Sequence, residues 1–275
     1  MAGSIVYRSF IYLALIAGAA LMVIPFAYLV GTSLMPGLYV LPIPPTFIPS
    51  HPTFQNYVDV WTSESFGRYF VNSAVVATIS TTITVFLSCM MAFAFARYSF
   101  PGRTILFYGM LLTLMLPALI LIIPQFILAK NLHLLNSLQG LVAVYSAAIP
   151  LNVFMLRGFF EDIPQEIADA ALIDGATIWR LFWTVMLPLA RPAVAAVTIF
   201  TFLANWDEFT WALTSINDSN LFTLPVGLQL FNQQHGTQYG LLFAGSVIAV
   251  LPVILVFVVL QRHFIKGVMA AAVKG

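Results

Sequence analysis

Apolar and polar residues alternate along this chain on the scale of whole segments, not single positions. Residues 10–33 are almost wholly apolar, and comparable runs recur at 70–96, 104–128, 138–160, about 187–211 and 241–261. Each run can cross ~30 Å of hydrocarbon at ~1.5 Å per helical residue. The pattern predicts an all-α, polytopic membrane protein with six transmembrane helices, organised as one domain over residues 1–275.

The interruptions carry the detail. Residues 1–9 read as a short head, and Pro25 is expected to bend the first span. Pro36, Pro42, Pro44, Pro45, Pro49 and Pro52 exclude a regular helix, so 34–68 reads as a loop with one or two short surface helices. The second span holds Ser73, Thr78, Ser80, Thr81, Thr82, Thr84 and Ser88. These hydroxyls either bond back to their own helix or reach across to others. Pro117 and Pro124 predict a broken third span that protein must shield. Gln125 beside them faces a water-filled path or an interface. Pro150 and Asn152 interrupt the fourth span. In the fifth, Asp207 and Glu208 follow Arg191 by sixteen and seventeen residues, about 24–26 Å of helix. Charges facing lipid there are costly. With Asn205 and Trp206 they form a patch that is either structural and interfacial or lines a path. Residues 212–240 are polar again. Pro252 lies in the sixth span, and 262–275 is a basic tail.

The longest charge-bearing interruption is 161–192. Two short helices around a bend are expected there. Pro164 suits a first helical turn, because its missing N–H has no intrahelical partner there. Glu166 and Asp169 lie near that N-terminus, where negative charge is favoured. Ile167, Ala170, Ala171 and Asp174 share one side. Gly175 suits the positive φ of a turn that ends the helix. A second pattern runs through Trp179, Phe182, Trp183 and Met186 to Leu187 and Pro188. The small residues Ala168, Ala170 and Ala171 would let another protein pack closely. From shape alone, an ordinary hairpin between two spans remains the alternative.

Composition narrows the function classes. The chain is 61% hydrophobic and only 8% charged, against about 25% charged in soluble domains. A net charge of +1 argues against nucleic-acid binding. The single cysteine, Cys89, has no internal disulfide or cysteine metal partner. The histidines at 51, 133, 235 and 263 show no metal-like spacing. With both termini placed in the cytoplasm, nine basic residues fall inside and two outside, while the ten acids divide five and five. That asymmetry follows the topology rule for membrane proteins. A phosphate-binding glycine loop is missing, so any ATP energy must come from a partner.

The run Pro164–Gln165–Glu166, Ala170–Ala171, Asp174–Gly175–Ala176, then Leu187–Pro188 and Pro192, resembles the coupling loop of ABC importer permeases. The phrases Phe54–Asn56–Tyr57 and Phe70–Asn72–Ser73, the stretch NLFTLPVGLQLF and the tail resemble the carbohydrate-uptake, maltose-type branch. The resemblance covers nearly the whole chain. It implies a permease that forms half of the path for a sugar or polyol-like solute, in a bacterial or archaeal cytoplasmic membrane. It implies as partners a second related permease, two copies of a cytoplasmic ATPase that hold the ATP and Mg, and an extracytoplasmic binding protein. No cofactor is expected on this chain itself.

In that family the loop docks into a cleft of the ATPase, which puts Glu166, Asp169, Ala170, Ala171, Asp174, Gly175, Leu187 and Pro188 at the contact. The tail, 262–275, is expected to enter the ATPase dimer interface. Candidate path-lining residues are Gln125, Asn152, Asn205, Asp207 and Glu208. One departure stands out: the family usually has Glu before the paired alanines, and this chain has Asp169. The rival readings are an ion-coupled secondary carrier, with Asp207 and Glu208 as its only candidate acids, and a membrane-embedded enzyme.

Overall fold

The computed structural model describes residues 2–63, 65–234 and 238–272, with side chains over 7–63, 65–229 and 238–262. Glu64, His235 and Lys274 lie outside the described residues, as do the side chains of His263 and Lys266. All regular structure in the described residues is helical. In chain order the α-helices are α1 (Ala2–Ser33), α2 (Gln55–Thr62), α3 (Phe66–Arg97), α4 (Arg103–Leu112), α5 (Ala118–Asn131), α6 (Leu138–Tyr145) and α7 (Pro150–Glu161). They continue as α8 (Gln165–Ile173), α9 (Ile178–Leu181), α10 (Leu187–Leu189), α11 (Arg191–Trp206), α12 (Thr210–Ser215), α13 (Leu224–Gln234) and α14 (Tyr239–Ala272).

Three helices are long and apolar enough to cross a membrane unaided: Tyr7–Ser33 of α1, all of α3, and Tyr239–Arg262 of α14. Three further spans are bent pairs, which brings the possible total to six. The α4–α5 pair turns by 106° at Pro117, α6–α7 by 45° before Pro150, and the 178–189 and 191–206 segments by 80°. At Pro117 proline explains the break, because it cannot donate and leaves the preceding Leu116 extended. A turn of 106° is far more than the kinked span that the prolines suggest. Pro124, by contrast, stays inside α5.

Several expected boundaries move. The head at 1–9 is helical from Ala2. The sixth span does not stop at 261, because α14 runs on to Ala272. The fifth span stops at Trp206 instead of Trp211, with Asp207 at its C-cap.

The chain forms two compact units. One takes the chain up to Gly67 together with Gly227–Leu251, and the other takes Arg68–Val226 and the residues from Pro252 on. In the first unit, Asn56 of α2 is buried and donates to Ser33 O at 2.8 Å and Met35 O at 2.9 Å. This closes the C-terminal end of α1, whose last carbonyls need donors. Gly240 lies against the same groups: an added Cβ would come within 2.7 Å of both Met35 O and Asn56 Nδ2. In the second unit, the core gathers Cys89, Ala92, Phe93 and Phe95 of α3 with Phe107 of α4 and Val153, Leu156 and Phe160 of α7. Residues of the 161–192 segment complete it.

Helix α6 starts where Ser137 Oγ accepts from Gly140 N–H at 3.1 Å. A Cβ on Gly140 would fall 1.9 Å from the backbone oxygen of Leu134. Gly140→Ala should therefore cost about 1–3 kcal/mol through overpacking against rigid backbone. A Cβ on Gly158 would meet nothing within 4 Å, so Gly158→Ala should be neutral or stabilising by up to ~1 kcal/mol. Heating the detergent-solubilised variants before size-exclusion chromatography ranks them, and equal melting of the two would refute the close approach.

Candidate functional site

Helix α8 ends in a turn that closes on itself. Ala176 N–H donates to Ala171 O and Gly175 N–H to Leu172 O, both at 3.0 Å. This crossed pair is a Schellman motif and requires a left-handed residue at its centre. Gly175 supplies it with φ +82°. Thr177 then starts α9, its Oγ1 accepting from Arg180 N–H at 3.2 Å. Pro164 is the N-cap residue rather than part of the first turn, while Glu166 does lie in that turn. Beyond α9 the helix widens into a π turn, Phe182–Met186, in which Leu187 N–H reaches Phe182 O. The wide turn directly precedes Pro188, which has no N–H for the helical ladder.

One side of this segment is built into the core. Ile163, Ala168, Leu181, Phe182, Met186 and Ala190 are buried beside Phe93, Phe107 and Phe160. Pro188 and Leu187 are half-buried and line a groove of about 370 Å³ with Trp183 and Arg191. The other side is bare. Glu166, Asp169, Ala170, Asp174 and Gly175 are exposed. So are Ile167, Leu172, Ile178 and Trp179, and Ile173 at the tip is 86% exposed.

The expected patch of small residues is divided. Ala168 is buried and Ala171 packs against the core, which leaves Ala170 alone facing outward. The bare surface is instead an apolar tip ringed by carboxylates. Contiguous exposed apolar residues of this kind mark an interaction site.

Arg97 is the last residue of α3. Its guanidinium donates to Gln165 Oε1 at 2.6 Å, to Phe160 O at 2.7 Å and to Ile163 O. Gln165 Nε2 in turn donates to Asp169 Oδ1 at 3.0 Å. Asp169, the departure from the family pattern, is thus held along its own helix. Close by, Glu161 bridges Arg157 at 2.7 Å and Arg103 at 3.6 Å, and Arg157 lies 4.1 Å over the Phe107 ring.

The five path candidates do not form one cluster. Asn152, 6% exposed, donates to Thr201 Oγ1 at 2.9 Å. Asn205, 8% exposed, donates to Thr81 Oγ1 at 3.2 Å. Thr201 and Asn205 lie four apart on α11, so this face of the helix is bonded to α7 and to α3. Glu208 accepts from Tyr145 Oη at 2.6 Å, Trp211 N–H at 2.7 Å and Ala212 N–H at 3.2 Å. It caps α12 and ties it to α6. Asp207 is exposed, and Gln125 is half-buried on α5. Among the described residues no group of three or more His, Cys, Asp or Glu could hold a metal ion.

An all-helical, multi-pass membrane protein with an apolar-tipped surface loop keyed into its core is the class that this geometry defines. The chain belongs to the family of binding-protein-dependent transport system inner membrane components, whose model matches residues 84–269. It is therefore a transport subunit, not an enzyme, and family membership lends no support to the ion-coupled alternative. It is 40% identical over 227 residues to the diacetylchitobiose uptake system permease protein NgcG of Streptomyces coelicolor, covering 82% of this chain and 75% of that one. It is 32% identical to the galactooligosaccharides transport system permease protein GanQ of Bacillus subtilis, covering 97% and 95%. It is 33% identical to the trehalose transport system permease protein SugB of Mycobacterium tuberculosis, covering 90% and 94%. Its fold is similar to that of a bacterial ABC transporter involved in alginate import, with a TM-score of 0.79 at 22% identity over 94% and 96% of the two chains.

The Glu208 bonds make a prediction about these paired acids. The amide of Glu208→Gln would turn its own N–H toward donors, so a loss of about 1–3 kcal/mol is expected. Asp207→Asn should stay within about 0.5 kcal/mol, as exposed substitutions usually do. Thermal stability of the two variants in detergent checks this, and an unchanged Glu208→Gln would remove the cap assignment.

Proposed function

We propose that this chain is one of two related membrane subunits of an ATP-driven importer, forming half of the path for a sugar or polyol-like solute. The observation that carries the reading is the 161–192 segment: locked into the core on one side, bare and apolar-tipped on the other. Such a surface suits a cytoplasmic ATPase, present in two copies and holding the ATP and Mg, with no cofactor on this chain. The names of the relatives, which concern diacetylchitobiose, galactooligosaccharides and trehalose, support the solute class. An extracytoplasmic binding protein, required by the family's mode of transport, would deliver the solute. The excess of basic residues on the loop side supports both termini lying in the cytoplasm.

In this mechanism, ATP binding draws the two ATPases together, and each pulls on the loop docked to it. The bundle then opens toward the binding protein, and hydrolysis resets it. Glu166, Asp169, Asp174 and Ala170 contact the ATPase around the Gly175 turn. Ala171, Leu187 and Pro188 hold that contact from behind. The tail at 262–275 would reach toward the same partner. Gln125 and Asp207 remain the side chains best placed to line the path, since Asn152, Asn205 and Glu208 bond within the chain.

Gly175→Val should abolish uptake while leaving insertion intact. Its Cβ has room, but a β-branched residue at positive φ costs at least ~1–2 kcal/mol. Ala170→Arg and Ile173→Asp should have the same effect by spoiling the contact. Co-purification of the ATPase with each tagged variant, plus uptake across a panel of oligosaccharides, is the check. Normal uptake and normal ATPase capture in all three would sink the docking assignment.

A further inference from the structure

We propose that α3 is the rod that transmits movement of the 161–192 loop to the segment at 216–224, and that Arg97 is the positioning residue that fastens the rod to the loop. The inference rests on the reading of that loop as the ATPase contact.

Both ends of α3 are hydrogen-bonded to segments distant in sequence within one compact unit. At its C-terminal end, Arg97 holds the last turn of α7 through Phe160 O, the link through Ile163 O, and the start of α8 through Gln165. Among the described residues no carboxylate pairs with Arg97. Its charge faces carbonyls at the C-terminal end of α7, where a cation is favoured. Three acceptors in different directions need the guanidinium fork, because a lysine is a point donor on a flexible stem. Through Gln165 the grip extends to Asp169 on the face of α8.

At the N-terminal end, Arg68 donates to the Asn220 side chain. Asn72 donates to Asn220 O at 2.9 Å and Phe222 O at 3.0 Å. Ser73 Oγ accepts from Leu224 N–H at 2.7 Å. Asn136 steadies the same segment, its Oδ1 accepting from Asn217 N–H at 3.0 Å and Asp218 N–H at 2.9 Å.

Between these ends the helix is stiff. It runs 32 residues, about 48 Å at 1.5 Å per residue. Helices α1 and α14 contain Pro25 and Pro252, and the remaining spans are bent pairs. Helix α3 has no proline and no break. Its closely packed middle makes few hydrogen bonds to other helices. Ser80, Thr84 and Ser88, four apart on one face, have no hydrogen-bond partner among the described residues. Asn205 on Thr81 is the lateral bond there. An unbroken helix gripped by hydrogen bonds at both ends and packed between them conveys a push along its axis.

The test uses the complete complex, purified through a tag on this chain, in detergent. Backbone hydrogen exchange is followed by mass spectrometry with and without Mg-ATP plus orthovanadate. In the wild type, exchange should change at 161–192 and also at 216–224. Arg97→Lys should keep the change at 161–192 and cut the change at 216–224 by about fivefold or more, the scale of a typical coupling energy. Gln165→Leu, which removes one of the acceptors, should cut it less.

A retained response at 216–224 in Arg97→Lys overturns the proposal. So does a wild type whose loop responds while 216–224 does not. A purely structural Arg97 would raise exchange in both segments without nucleotide and leave their responses linked, which also overturns it. If Arg97→Lys does not assemble, Gln165→Leu decides, and a response at 216–224 undiminished from the wild type overturns the proposal. A wild-type loop that ignores nucleotide would instead refute the ATPase contact itself.

Discussion

The seat of the 161–192 segment depends on a meeting of rings. Phe93 of α3 lies 6.0 Å from Phe160 of α7 and 5.3 Å from Phe182 of the π turn. Around them Leu181, Met186 and Ala168 are buried. The membrane spans have lipid as an apolar alternative, so packing, not escape from water, decides their association. A loop beyond the lipid does not have that alternative. Each large apolar side chain it buries gains about 1.5–3 kcal/mol relative to water. The loop is thereby made part of the rigid unit, and a force on its bare face reaches the spans instead of being absorbed by slack.

The bare face follows from the same periodicity. A helix that buries Ala168 cannot also bury Ala170 and Ile173. With nine residues in α8 and four in α9, both helices are too short to be stable alone. Their order comes from the Schellman turn, the Thr177 cap and the core beneath them. Asp169 shows what this does to a single side chain. Gln165, itself gripped by Arg97, donates to it one turn back. The shorter acid suits that local bond.

The sequence is most readable where the chemistry is local. Gly175 could be placed in a turn because few other residues tolerate positive φ. Pro117 and Pro150 could be named as interruptions because a missing N–H acts on its own helix. The 106° turn at Pro117 could not be read, because an angle depends on what packs against both arms. Arg97 was missed because its acceptors lie 63 to 68 residues away and follow no period. Ile173 was missed because an isoleucine in an apolar chain reads as core. The end of α11 was misplaced for a related reason. Phe209 and Trp211 prolong the apolar pattern, yet Glu208 spends its carboxylate on the next helix and on Tyr145, a partner 63 residues away.

The apolar surface left bare by the chain separates two kinds of neighbour. In α1, the most apolar stretch has no buried residue, and in α14 only 11% of it is buried. Intact helices can face lipid, because their backbone groups are satisfied internally. The junction between α4 and α5 is different. Residues 112–120 are exposed, and the helix is broken among them at Leu116–Pro117. Freed carbonyls at such a break cannot face hydrocarbon without a cost of several kcal/mol each. Either protein or a water-filled cavity must lie against them. Gln125, two turns further along α5 and half-buried, has an amide suited to the wet alternative. The second permease proposed above, lying beside a solute path, would cover such a break.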